Sequence, residues 1–256
     1  MNGFLRVQHL NYLSEEIFLR STRQNLKQTH KTMTQFTNTQ ATQTNYKTRR
    51  QRDEQDEKIV GQFLDIYFYP TWCSAIARNT DRLTQIQGLD VTTLDGANAV
   101  YKIDEKAATR WAGRRLNTFA FEISAVNIFG EVYKGWLLDD KSISDYLVLV
   151  WIDEINSETL QGAANITDAT VALIRKSDLW NFLNYKGLTK EYLFSMGDYL
   201  RQMGMNSHKV NGFKITCQQA PIQERAANIL IHRDTIINNI SCYSMQIKNG
   251  QQIRLR

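Results

Sequence analysis

Cysteine is scarce and scattered: Cys73, Cys217 and Cys242 are odd in number, far apart and never in a C-x-x-C pair. That argues against a disulfide framework and against a thiolate zinc site. Histidine is thin as well, with four residues along the chain, which leaves a zinc hydrolase short of ligands. No Cys or His nucleophile can be paired with a base, so a covalent hydrolase of that kind has little support. No stretch approaches the apolar length that spans a bilayer, and Met1-Asn2-Gly3-Phe4-Leu5-Arg6 lacks a signal-peptide layout. The expectation is a cytoplasmic protein with no membrane partner.

What is present is one substantial core's worth of chain, 256 residues, with its charge unevenly divided. Residues 1–52 hold nine Lys or Arg against Glu15 and Glu16, a net +7, leaving 22 basic and 24 acidic residues on the other 204, a net −2. Val7, Leu10, Leu13 and Ile17 recur at helical spacing over 4–20. Residues 21–52 are rich in Thr and Gln and poor in apolar side chains, a composition that buries too little surface to offset ordering entropy. Residues 1–52 therefore read as a flexible basic arm, either a nonspecific phosphate contact or a solvated linker.

From Asp53 to Tyr69 apolar residues at 59, 60, 63, 64, 66 and 67 predict a helix, with acids complementing its N-terminal dipole and Pro70 ending it. Phe119–Ser124 and Val132–Leu137 read as strands. Asp145–Ile152 is apolar on both faces, the pattern of a strand buried between layers. A short strand over Thr170–Ile174 is followed by a helix through Leu179 and Leu183 with Ser177-Asp178 offered as its N-cap. Apolar positions from Leu188 to Met203 form a second helical stripe, and Ile229–His232 a further strand.

The chemistry concentrates between Gly88 and Lys106. Two β-favouring runs, Leu89–Leu94 and Ala99–Lys106, flank Asp95-Gly96, a hairpin signal. Period-two alternation puts Asp104 and Lys106 on one face of the second strand. An odd loop or a bulge then brings Asp90 to that face, either opposite Asp104 or diagonal to it. Two carboxylates so close repel, and their natural partner is a hard divalent cation. Mg²⁺ fits, since it binds through one or two carboxylates plus phosphate oxygens. A neighbouring lysine can orient or activate water and stabilise charge growing on a phosphate.

Asp90, followed by Asp104-Glu105-Lys106, resembles the acid…(Asp/Glu)-x-Lys motif of the PD-(D/E)XK, or restriction-endonuclease-like, nucleases, with similarity over roughly residues 53–176. Leu89 stands where the motif's name has proline. The resemblance implies an α/β fold, a mixed central sheet flanked by helices whose first three strands form an antiparallel meander. It implies domains 1–52 (arm), 53–186 (nuclease core) and 187–256 (a helical and mixed extension packed on the core). It also implies a Mg²⁺-dependent nuclease, with Mn²⁺ as a substitute ion and DNA as substrate. Asp90 and Asp104 would hold the metal and Lys106 would assist the attacking water. The backbone carbonyl of Glu105 would be a further ligand, and the preceding helix would add an acid, Glu57, with Asp65 behind it. Restriction, repair and phage or mobile-element recombination are all open, as is a homodimer.

Other residues near the motif are weighed against ordinary surface roles: Gln85 beside the first acid, Arg110, Arg114 and Arg115 as backbone contacts, and Glu122 if its strand shares the active face. His232 reads as structural. The alternative from a different class is a nucleic-acid-binding or structural protein in which the hairpin acids are a relic, and metal dependence separates the two.

Overall fold

A computed structural model describes residues 51–220 and 224–256 of the chain. The arm over 1–52 and the helix over 4–20 lie outside the described residues, apart from Gln51 and Arg52. The chain divides into Met1–Gln55 and Asp56–Arg256, and the architecture below is that of the second unit. Among the described residues no helix is long and apolar enough to cross a membrane.

Helix α1 (51–67) runs into a single 3-10 turn, Tyr69–Thr71, opened by Pro70. Strand β1 (Cys73–Arg78) and a short helix α2 (Arg82–Ile86) follow, then the hairpin of β2 (Val91–Asp95) and β3 (Val100–Ala107). Strands β4 (Thr118–Val126) and β5 (Val132–Lys134) lead to two long strands, β6 (Tyr146–Ile155) and β7 (Ile166–Arg175). Helices α3 (Lys176–Tyr185) and α4 (Lys190–Gln202) precede β8 (Ser207–Val210), β9 (Phe213–Cys217), β10 (Ala227–His232), β11 (Tyr243–Lys248) and β12 (Gln251–Arg254).

The fold is mixed α/β, with two sheets. A seven-stranded sheet runs β1-β2-β3-β6-β7-β11-β12 and a five-stranded sheet runs β5-β4-β10-β9-β8. β1, β2 and β3 form an antiparallel meander, and β3 then pairs in parallel with β6. The meander's third member is thus β1, where the sequence pointed to residues 119–124. Those residues, in β4, pair with β10 and β5 in the other sheet. A parallel neighbour needs a long crossover, usually a helix; here the crossover carries β4 and β5 instead.

β6 explains the layering. Its side chains alternate between two apolar clusters, Leu147, Leu149 and Trp151 in one and Val148, Val150 and Ile152 in the other. Because successive side chains in a strand point to opposite faces, an unbroken apolar run demands cover on both. Helix α1 supplies one cover through Ile59, Val60, Phe63 and Leu64. Helices were expected over the other face too. They are there, α3 and α4 through Leu179, Leu183, Leu193 and Leu200, but the five-stranded sheet shares that cluster through Phe119, Phe121, Ile123 and Ile229. Helix α3 starts one residue before the expected cap, with Arg175 at its N-cap position and no side-chain bond there.

Gly135, just after β5, passes close against β4. A Cβ at this position would lie 2.5 Å from the Glu122 carbonyl oxygen, and a backbone atom cannot swing aside. Gly135→Ala should therefore lose about 1–3 kcal/mol, as overpacked sites do, read from the urea midpoint. A midpoint unchanged from the parent would show that the two segments are free to separate.

Candidate metal and phosphodiester site

The hairpin register follows the first of the two pairings the sequence allowed: Leu94 lies opposite Val100 and Val91 opposite Ile103. Asp90 lies just beyond the last paired residue, and its N–H donates to the Ile103 carbonyl at 2.9 Å. The loop is odd, five residues from Asp95 to Ala99. Asp95, rather than Gly96, organises it: its Oδ1 accepts the N–H groups of Ala97 and Ala99 at 2.8 and 2.9 Å, and Asn98 takes the left-handed conformation with φ 63°. Asx acceptance and left-handed tolerance are why Asp and Asn serve in such turns. At the other end of β2, Asn79 donates through its side chain to the Leu89 carbonyl and through its backbone to Asp90. Both ends of the short strand are pinned.

Asp90 Oδ2 accepts the Glu105 N–H at 2.8 Å, and Lys106 Nζ donates to Asp104 Oδ1 at 2.5 Å. Asp104 is buried, 3 % exposed. Gly88, with φ +69°, turns the chain into Asp90, and a Cβ on it would sit 3.0 Å from both Asp104 Oδ2 and Ser142 Oγ. The bare glycine lets backbone pass beside the carboxylate.

Burial pushes the Asp90 carboxyl up from 3.8 to about 7; Asp104 adds to the rise, while Lys106 and the Glu105 N–H oppose it. For Lys106 burial works toward losing the proton, but Asp104, Asp90 and, more weakly, Glu57 outweigh it and raise its pKa. Lys106 is an ammonium at neutral pH. Glu57 on α1 is thus within electrostatic reach of the cluster. Glu122 on β4 is as well: burial raises its pKa, Glu224 adds to that, and Lys106 and Arg201 act against it.

Glu105 points to the opposite face. Its carboxylate receives Tyr69 Oη–H at 2.6 Å and Arg78 Nη1–H at 3.0 Å, while Arg78 also pairs with Asp65 at 2.6 Å. Asp65 therefore belongs to this structural cluster, and only the Glu105 backbone remains on offer to the Asp90–Asp104 side. Gln85 donates to the Asn79 carbonyl at 2.8 Å. Arg115 is near the motif in sequence only: it pairs with Glu154, seven residues along β6 from the partner of Asp104 and so about 23 Å away at ~3.3 Å per residue. Arg114 lies over the exposed Trp111 ring. His232 is exposed at the end of β10.

Three polar residues escaped the sequence reading. Lys176 Nζ donates to Ser142 Oγ and Ser144 Oγ, each at 2.6 Å. Burial lowers its pKa, Asp104 opposes the fall and Lys106 adds to it, so it is a second lysine in the field of the aspartates. A signal existed, since a lysine at the first residue of a helix sits against the dipole and needs some other reason to be there.

Among the described residues no group of three or more His, Cys, Asp or Glu is arranged to hold a metal ion. The candidate donors on this face are the aspartate pair. Two carboxylates on one face, one of them with its pKa raised by burial and by the other, suit an ion that takes one or two carboxylates and completes its shell with water and phosphate oxygens.

A pH dependence follows. The folded protein binds the Asp90 proton more tightly than the unfolded chain, so Asp90's contribution to stability is present in full below about pH 4 and is lost as pH rises through about 7. A cation on the pair should reverse that loss. Millimolar Mg²⁺ is expected to raise the melting temperature at pH 8 and much less at pH 5.5, with Asp90→Asn removing the difference. Equal shifts at both pH values would dissociate Mg²⁺ from Asp90. No protein-family model, curated protein or solved structure matches the chain.

Proposed function

We propose that the protein is a Mg²⁺-dependent nuclease, with Mn²⁺ an effective substitute, that hydrolyses phosphodiester bonds in DNA on a restriction-endonuclease-like core. The observation that carries this reading is the clustering of Asp90, Asp104 and Lys106 at the hairpin: Asp90 Oδ2 accepts the N–H of Glu105, the residue between the other two, at 2.8 Å, and Lys106 Nζ contacts Asp104 at 2.5 Å. The β1-β2-β3 meander with a parallel β6 beside it supports the same reading.

Asp90 and Asp104 hold the ion, and the Glu105 carbonyl is the further backbone ligand. When bound, the ion lowers the pKa of a coordinated water and neutralises charge on the scissile phosphate. Lys106, held as an ammonium, donates to the attacking water or to a phosphate oxygen and positions it. Glu57 and Glu122 add negative charge around the site and favour a cation there. The basic arm over 1–52 is assigned to sequence-independent phosphate contact, which falls with salt.

The test is cleavage of supercoiled, linear and single-stranded DNA with Mg²⁺, Mn²⁺ or EDTA. Cutting that needs the ion supports the reading. Under the alternative, a nucleic-acid-binding relic, DNA binding and stability would both ignore Mg²⁺.

A further inference from the structure

Beside the aspartate pair lies a cavity of about 230 Å³ lined by Trp136, Ser142, Leu147, Lys176, Trp180 and Lys190, among others. We propose that it receives one unpaired nucleobase next to the scissile phosphate, so that the enzyme acts on single-stranded, flapped or locally opened DNA in preference to continuous duplex. The inference rests on the nuclease reading and specifies its substrate.

Position comes first. Leu147 is the parallel partner of Asp104. Ser142 Oγ and Asp104 Oδ2 both approach the same side of Gly88. Trp136 lies under Lys106 Nζ, 5.6 Å from the ring centroid. Whatever is covalently attached to a phosphate at Asp104 and Lys106 therefore has this cavity as its neighbour.

Shape and chemistry then narrow the occupant. The volume is below the range that holds drug-sized ligands, and it suits one planar heterocycle, not a base pair. Two tryptophans among its walls offer stacking surfaces, which serve any base because every base has a π-face. Lys190 Nζ lies 5.4 Å from the Trp180 ring centroid and is anchored to Asp140 at 2.8 Å, which holds that ring's surroundings in place. Lys176 gives two of its three N–H donors to Ser142 and Ser144, and Asp139 adds an acceptor to the lining. Donors and acceptors beside aromatic walls are what read a base edge. A base can enter only by leaving its stack, at a cost that is least when it is already unpaired.

The experiment combines cleavage with fluorescence. Oligonucleotides carrying 2-aminopurine at successive positions around the cut are bound to the parent protein in Ca²⁺, and cleavage of single strand, flap and duplex of one sequence is compared in Mg²⁺ for the parent, Trp180→Phe and Trp180→Ala. A fluorescence change confined to the base beside the cut is expected. Cleavage of unpaired DNA should exceed that of duplex at least tenfold in the parent and in Trp180→Phe. Trp180→Ala should lose about ten- to a hundred-fold in single-strand affinity, since one stacked base is worth ~1–3 kcal/mol.

Asp104-dependent cutting with equal rates on duplex and single strand, or with no position-specific fluorescence change in the parent, overturns the base pocket and leaves the nuclease standing. No cutting of any DNA overturns both. The parent measurements decide even if Trp180→Ala does not fold.

Discussion

Asp104→Ala is expected to remove metal-dependent cleavage, with a loss of about a thousandfold or more, and Lys106→Ala to lose about a hundred- to a thousandfold. The two are not equivalent. Asp104 is buried and contacts Lys106 directly, so alanine removes a proposed metal ligand and also leaves the ammonium with Asp90 as its main counter-charge. Asp90 then loses a like-charged neighbour that helps raise its pKa. The Mg²⁺ stabilisation expected at pH 8 should vanish in Asp104→Ala and persist in Lys106→Ala, because in the proposed site the lysine positions reactants and holds no metal. Residues acting as one unit are grossly non-additive, so the double variant should be scarcely worse than Asp104→Ala alone. Multiplying losses would mean that the two act in separate steps.

Arg233→Ala should destabilise the fold by about 3–5 kcal/mol, the range found when one partner of a buried ion pair is removed. Arg233 follows β10 of the five-stranded sheet and reaches Asp153 on β6 of the seven-stranded sheet, with N···O distances of 2.9 and 2.6 Å. It also donates to Thr170 Oγ1 at 3.2 Å and the Leu116 carbonyl at 2.5 Å, and its guanidinium lies 5.3 Å from the Trp151 ring centroid. Asp153 is 3 % exposed. Without the arginine its charge keeps one neutral donor, the Thr170 hydroxyl at 3.0 Å. Arg233→Lys should recover only part of the loss, since an ammonium cannot make the planar two-point contact or stack on the tryptophan. Replacing both partners by apolar residues should cost less than Arg233→Ala, because no charge is then stranded. Urea denaturation of the three variants measures this, and a loss under about 1 kcal/mol for Arg233→Ala would falsify the assignment of Asp153 as a buried charge that needs its partner.

Much of the candidate site's geometry was legible because its logic is local. Asp104 and Lys106 share a face by strand alternation alone, and an odd loop was required to bring Asp90 to them. Which odd loop it is depended on Asp95 accepting two N–H groups and Asn98 adopting positive φ. Strand β1 was not legible: Cys73–Arg78 has five exposed residues out of six, so it carries no alternation to read, and its identity comes from pairing with β2. The arginines after β3 misled because sequence proximity says nothing about the direction the chain takes on leaving a strand. Arg115 travels along β6 to Glu154. Lys176 and Ser142 are 34 residues apart, and only the chain's return past Asp104 brings them together.

By itself, then, the sequence determined the hairpin and the face its acids share, the two-sided burial of 146–152 and the apolar stripes of the helices, all of which follow from backbone periodicity over a few residues. The tertiary structure decided which sheet Thr118–Val126 joined, what covered each face of β6, and that Lys176, Ser142, Trp136 and Trp180 line one cavity beside Asp104. Those outcomes depend on pairing between strands far apart in the chain, such as His232 with Thr118. Such pairing is selected by the fit of whole faces, and no local pattern encodes it.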